Sequence, residues 1–287
     1  MKFSQSSADI FVPDASVTPA EALAQTTHLC VAAHQDDIEI MAYSGIAECH
    51  GNPGRHFTGV VVTDGAGSPR SGPYAGLDGA SLCARRRREQ RQAAEIGDYG
   101  LCVQLAHPSA AVRENGNAGV GADLRFIFEQ CRPEVVYLHN PVDKHDTHIA
   151  VLQRCLEALR ALPVARRPLC VLGCEVWRDL DWLPDHRKVA LDTSRRPHLA
   201  AALLAVFDSQ ISGGKRYDLA ALGRRTANAT FDQPREVDRC DSVAWAVDLA
   251  PLVALDSLSL DAFLRPLIEE FRDDAVARAR KFTQGRG

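Results

Sequence analysis

The sequence predicts an α/β fold, because short apolar segments rich in β-branched residues alternate with longer segments of helical periodicity. Buried strands that alternate with helices in this way favour a parallel sheet with helices on both faces. We therefore expect a Rossmann-like, mainly parallel sheet. Right-handed crossovers place the carboxyl ends of its strands along one edge, where ligands bind in open sheets. The predicted strands cover residues 28–33, 58–63, 101–105, 134–138 and 169–175.

The segments between and after these strands have either helical periodicity or the composition of loops. Three segments rich in turn-forming residues, at 63–76, 106–119 and 178–188, each follow a predicted strand. Because long loops in compact domains are often functional, we expect these three to rim the ligand crevice. The predicted helices cover residues 39–51, 81–97, 121–131, 145–162 and 195–211.

The pattern changes after about residue 190. A helical pair around 199–221 precedes a less regular stretch at 230–249, and a charged, exposed helix is expected at 270–280. No internal repeat or low-complexity segment divides the chain. We therefore predict a single domain over residues 1–287, with a core at about 27–215 and a C-terminal elaboration at about 216–287.

The composition gives no electrostatic argument for binding nucleic acid or an acidic membrane. The chain is 46% hydrophobic, its formal net charge is −4, and its pI is near 6.2. The arginine run at 85–88 is offset by nearby acidic residues and is expected on one face of a helix. No apolar stretch is long enough to span a bilayer. We expect neither a nucleic-acid nor a membrane partner.

The nine cysteines are scattered, and several lie in or beside apolar segments. This pattern is typical of buried free thiols in a reducing compartment. The first residues also lack the apolar core of a signal peptide. These features predict a cytoplasmic protein.

One imidazole and two adjacent carboxylates, those of His34, Asp36 and Asp37, directly follow the first predicted strand. Adjacent residues that leave a strand point in different directions. One carboxylate can therefore bind a metal ion while its neighbour takes a proton from water. The alternative is that Asp36 or Asp37 only caps the next helix, but capping does not explain His34.

A second polar cluster, with His145 and His148, follows the strand at 134–138. The spacing i, i+3 places both imidazoles on one face of the first turn of a helix. A solvated helix start, capped by Asp143 or Asp146, is the alternative. Because both clusters fall at the same edge of the predicted sheet, we expect one divalent-metal site with an open position, as in hydrolytic zinc sites.

These two clusters resemble the signatures of the PIG-L / LmbE-like family of zinc-dependent deacetylases that act on N-acetyl sugars. The family's His-Pro-Asp-Asp-Glu is matched at 34–38, and its His-x-x-His at 145–148. The helix around 86–89 and a Ser-Gln pair at 209–210 also fit the family. The resemblance covers about residues 27–215 and implies an LmbE-like fold.

The resemblance implies a role for each residue of the two motifs. His34, Asp37 and His148 would bind one Zn²⁺, although Fe²⁺ or Co²⁺ also suits two imidazoles and a carboxylate. Asp36 would be the general base. His145 would stabilise the oxyanion or protonate the leaving amine.

Four further residues are predicted substrate contacts. The resemblance places Arg86 and Glu89 at the pocket wall. Asp64 and Trp177 follow strands at the ligand edge, with a loop-starting turn and core packing as their respective alternatives.

The motif departs from the family at two positions. Gln35 replaces the usual Pro, which removes a backbone constraint, and Ile38 replaces the usual Glu, although Glu39 follows directly. Neither position supplies a ligand, so we expect the metal site to be retained.

The sequence thus predicts a zinc hydrolase that removes acetyl from an N-acetylated amino sugar of the N-acetylglucosamine type. Its partner would be a small-molecule sugar or sugar conjugate. An amidase for a sugar conjugate or a non-sugar amide is one alternative, and a catalytically silent metal- or sugar-binding protein is another. A homo-oligomer is compatible with the sequence.

Overall fold

A computed structural model describes residues 1–283 of the chain, and the strands in this part form one eight-stranded sheet. The strand order across the sheet is β1-β4-β3-β2-β5-β6-β8-β7, with β2 to β6 parallel to one another and β1 and β8 antiparallel to their neighbours. The strands are β1 (Asp9–Phe11), β2 (His28–Ala32), β3 (Phe57–Thr63), β4 (Leu101–His107), β5 (Val135–His139), β6 (Cys170–Cys174), β7 (Lys188–Asp192) and β8 (Val243–Asp248).

Helices cover both faces of the sheet, because successive residues of each buried strand point to opposite faces. In β2, Val31 joins one hydrophobic cluster, and Cys30 and Ala32 join the other. The helices are α1 (Pro19–Ala24), α2 (Asp37–Met41), α3 (Tyr43–Cys49), α4 (Gly79–Ile96), α5 (Ser109–Arg113), α6 (Ala118–Gln130), α7 (Asp146–Arg160), α8 (Pro197–Ala205), α9 (Asp208–Ile211), α10 (Tyr217–Thr230), α11 (Ala250–Ala254) and α12 (Leu260–Thr283). None of these helices has the length and hydropathy needed to cross a membrane.

The predicted α/β fold is confirmed, and the five predicted strands are β2 to β6. The chain runs outward from β2 through β3 to β4 and then returns to place β5 on the other side of β2. The connections after β2 and β5 therefore leave in opposite directions. This is the topological switch point at which open α/β sheets bind ligands.

The C-terminal part of the chain differs from the prediction. The stretch at 230–249, predicted to be less regular, contains β8, which pairs with both β6 and β7. The predicted helix at 39–51 is two helices that meet at Ala42, and the one at 195–211 is broken at Val206 and Phe207. Residues beyond 215 thus complete the central sheet.

The buried carboxylate of Glu175 joins β6 to these C-terminal elements. It accepts hydrogen bonds from the backbone N–H of Leu180 at 2.7 Å and of Trp245 in β8 at 2.9 Å, and from the side chain of Asn228 in α10 at 2.9 Å. Only 4% of Glu175 is exposed. Burial raises the pKa of Glu175, and the hydrogen bonds to Trp245 and Leu180 oppose this shift.

We predict that Glu175→Ala lowers the free energy of unfolding by about 2–3 kcal/mol, because two buried backbone donors lose their acceptor. Urea unfolding followed by circular dichroism measures this change. The matched control is Asp261→Ala, whose pair with Arg265 in α12 is exposed and screened by water, so its loss should leave the stability almost unchanged. Equal stability of the two variants would contradict the role given to Glu175.

Candidate metal centre and active site

The ends of β2 and β5 bring the two predicted clusters together at the switch point. His34 follows β2, and Asp36 and Asp37 lie at the start of α2. His145 and His148 lie in the first turn of α7, which follows β5. The prediction that both clusters meet at one edge of the sheet therefore agrees with their placement.

Three potential ligand atoms form a compact triangle at this point. His34 Nδ1 lies 3.2 Å from Asp37 Oδ2 and 3.1 Å from His148 Nε2, and His148 Nε2 lies 3.3 Å from Asp37 Oδ2. Tetrahedral zinc with bonds of about 2.0–2.2 Å separates its ligand atoms by about 3.3 Å. The triangle thus has the size and the nitrogen and oxygen donors of one face of such a site.

His139 at the end of β5 is close to the triangle, but its nearer nitrogen is already used. His139 Nε2 lies 3.7 Å from Asp37 Oδ2 and accepts a hydrogen bond from the backbone N–H of Ala33 at 2.9 Å. Its lone pair therefore points at the backbone. The bond ties the end of β2 to the end of β5 and so fixes the geometry of the site.

Asp143 supports the triangle from behind, a role that we did not predict. Its Oδ2 lies 3.5 Å from His148 Nδ1 and accepts from the backbone N–H of Trp177, and its Oδ1 accepts from the backbone N–H of His145. A carboxylate behind a histidine is typical of metal sites, where it orients the ring. In the sequence, Asp143 stands five residues before His148, but we interpreted it only as a possible helix cap.

Burial and the contacts between Asp37 and the neighbouring imidazoles determine which groups of the site are charged. Burial raises the pKa of Asp37, but the imidazoles of His148 and His34 outweigh it and hold that pKa well below its usual value. Burial lowers the pKa of His148, yet the carboxylates of Asp37 and Asp143 raise it overall to about 9. Asp37 is thus an anion that attracts positive charge to the triangle.

Asp36 lies beside the triangle in a strained and buried conformation. Its φ of 96° and ψ of −32° lie outside the regions that non-glycine residues favour, and such strain costs about 1–3 kcal/mol. Burial raises its pKa well above the usual value, and Arg86, whose Nη2 lies 3.8 Å from Asp36 Oδ2, opposes this shift. A raised pKa suits a carboxylate that must accept a proton near neutral pH.

His145 faces the cavity as a neutral imidazole. Burial, together with the neighbouring His148 and His34, lowers its pKa to about 4. Its Nδ1 accepts a hydrogen bond from the backbone N–H of Thr147 at 3.2 Å. The proton of the neutral ring is therefore on Nε2, where it is available as a hydrogen-bond donor.

A cavity of about 500 Å³ opens over these residues. Of the four predicted substrate contacts, Arg86 and Trp177 line it. Arg86 is only 2% exposed and donates to the backbone oxygens of Gly65 and Gln35 and to the hydroxyl of Ser68. These hydrogen bonds hold the loop after β3 against the segment at 34–38. The guanidinium group also faces the carboxylate of Asp36. The other cavity residues include Ser109, Arg113, Gln210, Lys215 and Tyr217.

Asp64 and Glu89 do not line this cavity. The carboxylate of Asp64 accepts from the backbone N–H of Ala66, which is the loop-starting turn that we considered as its alternative. Glu89 is buried and accepts from the backbone N–H and hydroxyl of Ser209 and from Arg85. The Ser209 contact holds α9 against α4, which positions the neighbouring Gln210 rather than a ligand.

The two departures from the family motif are accommodated by packing. Gln35 is buried and donates to Gln104, and a side chain at Gly65 would lie 2.5 Å from Gln35 Oε1. Ile38 packs in the hydrophobic cluster under α2. Glu39 is buried away from the cavity, where burial raises its pKa to about 7 and Tyr99 and Gln90 donate to it.

Comparison with known proteins agrees with this arrangement. Residues 29–159 match the sequence model of the family described as PIG-L: GlcNAc-PI de-N-acetylase. No curated protein sequence matches the chain.

Solved structures with the same fold share 18% sequence identity with this chain. The conserved protein TT1542 from Thermus thermophilus has a TM-score of 0.60, covering 78% of this chain and 94% of its own. GalB, the 4-carboxy-2-hydroxymuconate hydratase from Pseudomonas putida, has a TM-score of 0.56 (78% and 95%). The N,N'-diacetylchitobiose deacetylase from Pyrococcus horikoshii, complexed with its inhibitor MPG, also has a TM-score of 0.56 (77% and 83%).

The neighbours share the fold but differ in reaction, since one is a hydratase and another a deacetylase. The family match is what supports a hydrolase of the deacetylase type. It spans β2, β5 and the first turn of α7, so it contains both clusters of the site. The resemblance seen in the sequence is confirmed: residues 29–159 of this chain form a PIG-L family domain.

Proposed function

We propose that this protein is a metal-dependent deacetylase that hydrolyses the acetamide of an N-acetylated amino sugar. His34, Asp37 and His148 are its proposed ligands for one Zn²⁺. The observation that carries this proposal is the triangle of their donor atoms, with edges of 3.1–3.3 Å, at the floor of a cavity that also holds a carboxylate and an imidazole.

The bound metal would supply Lewis acidity, polarising the amide carbonyl and lowering the pKa of water towards ~7. Asp36 accepts the proton of the attacking water, for which its raised pKa and its position beside the triangle are suited. Arg86 limits that rise and holds the carboxylate in place.

His145 stabilises the negative charge that develops on the amide oxygen. Its Nε2 proton is a fixed donor because Nδ1 is held by the backbone of Thr147. With a pKa of about 4, the ring acts as a neutral donor rather than as a charged acid. Asp36 is therefore the group that returns a proton to the leaving amine.

The cavity suits a sugar in size and lining. Its volume of about 500 Å³ lies within the range of small-molecule pockets. Trp177 offers an aromatic side chain, and Gln210 and Lys215 offer hydrogen-bond donors for hydroxyl groups. An amidase for sugar conjugates or non-sugar amides is the alternative that uses the same metal and base.

We predict that the zinc-loaded protein releases acetate from N-acetylglucosamine or one of its conjugates. The experiment measures acetate from a panel of N-acetyl sugars, their glycosides and nucleotide conjugates, and N-acetyl amino acids as non-sugar amides. Acetate from the amino acids alone would favour the amidase alternative. No acetate from any compound would contradict the deacetylase proposal.

We predict about one metal ion per chain in the purified protein, and its loss in His148→Ala, because a carboxylate and one imidazole hold zinc weakly. Plasma mass spectrometry measures the content after reconstitution with Zn²⁺. His186→Ala is the control, since this exposed histidine pairs with Glu270 and takes no part in the triangle. Full occupancy in His148→Ala would remove His148 from the ligand set.

We predict that Asp36→Asn retains the metal but lowers kcat by about 100- to 10,000-fold, the usual contribution of general-base catalysis. Steady-state acetate release and metal content are measured on the same preparation. Asp64→Asn, outside the cavity, serves as control and retains its activity. Turnover of Asp36→Asn at the wild-type rate would assign the base to another group.

A further inference from the structure

The last part of α12 extends from the body of the protein. The helix is anchored by the buried Leu267, by ion pairs of His186 and Arg187 with Glu270, and by an edge-on contact of Phe271 with Trp182. After this point every residue to Thr283 is exposed. We call residues 272–283, a helix about 18 Å long, the projecting segment. A helix of this length is marginal in water unless it packs against something.

An apolar stripe runs along the open side of the helix into the projecting segment. Ile268, Phe271, Ala275 and Phe282 lie at a and d positions of a two-helix seam, and Arg278 occupies the d position between Ala275 and Phe282. Ile268 is 50% exposed and Phe282 is 89% exposed. Within residues 1–283, no other element covers the stripe beyond Phe271.

The charges beside the stripe change sign along the helix. Those before Ala275 are mainly acidic, with Arg272 as the exception, and Arg272 pairs with Asp273. Those after it are all basic. The acidic residues are Glu269, Glu270, Asp273 and Asp274, and the basic residues are Arg278, Arg280 and Lys281. A second copy of this helix running antiparallel places acidic residues beside basic ones, whereas a parallel copy places like charges together.

We propose that the projecting segment pairs antiparallel with the same segment of a second copy of this chain. In the matching register, Phe271 of one copy lies beside Phe282 of the other. Asp274 and Lys281, seven residues apart on one flank of the stripe, then lie beside each other across the seam. Asp274 also pairs with Arg278 of its own helix at 2.8 Å, and this exposed pair leaves its second oxygen for Lys281. Ala275 lies opposite Arg278 of the other copy, and its small side chain leaves room for the apolar stem of that arginine, whose charge reaches water.

The charge balance favours a second copy over a lipid surface. Between residues 269 and 283, acidic and basic side chains are equal in number. Helices that bind anionic membranes instead have an excess of Lys and Arg on their polar face. The seam is short, so we expect a dimer with a dissociation constant on the order of micromolar.

The proposal predicts that the sedimentation mass rises with protein concentration from the 31.3 kDa of one chain towards twice that value. Phe282→Glu places a charge among the phenylalanines of the seam, and Ala275→Lys places a cation opposite Arg278 of the other copy. Each variant should keep the protein at the mass of one chain. Phe231→Glu changes another exposed phenylalanine, 79% exposed and outside α12, and should leave the dimer intact.

A charge exchange tests the antiparallel orientation. Asp274→Lys alone and Lys281→Glu alone should each weaken the dimer by bringing like charges together. The double variant should regain much of the lost affinity, because the opposite charges face each other again. A wild-type protein that stays at the mass of one chain up to about 100 µM would overturn the proposal. So would a dimer unaffected by Ala275→Lys and Phe282→Glu, or a double variant no tighter than the single ones.

Discussion

The carboxylate of Asp37 is the group around which the site is arranged. A buried anion is stable only when it is paired and hydrogen-bonded, and Asp37 is 3% exposed. Its Oδ2 accepts from the backbone N–H of His34 and lies within 3.3 Å of the ring nitrogens of His34 and His148. A single oxygen atom, Asp37 Oδ2, therefore joins three elements: the turn after β2, the start of α2 and the first turn of α7. Moving any one of them would leave a buried charge without its partners.

Arg86 has a similar role on the other side of Asp36. One guanidinium group contacts the motif through Gln35, the loop after β3 through Gly65 and Ser68, and the carboxylate of Asp36. This shared contact explains how Asp36 retains a strained backbone although the usual Pro is absent from position 35. A proline ring at position 35 would restrict the backbone of the loop from within. Here Arg86 of α4 restricts the loop from outside.

Much of the fold and of the candidate site was predictable, because both depend on local patterns. Strands buried on both faces are continuous apolar runs, and the parallel order brings their ends together, so the meeting of His34 with His148 followed from the sequence. The strand β8 was not predicted, although Val243, Trp245 and Val247 alternate in it, because it lies in a stretch of otherwise irregular composition. Its pairing with β6 and β7 joins segments that are distant in the sequence. Glu89 was assigned to the pocket wall from the family resemblance, and its actual partner, Ser209, lies 120 residues away in the sequence. Such distant pairs leave no periodicity in a single sequence.

The insertion of β8 between β6 and β7 has a consequence for synthesis on the ribosome. When β7 leaves the exit tunnel, the strand that must separate it from β6 is still untranslated. At 5–20 residues per second, β8 follows after roughly 3–11 seconds. During that interval the nascent chain exposes the unpaired edge of β6, with its free N–H and C=O groups, to other chains. The sheet is therefore completed only when β8 has emerged and paired with β6 and β7.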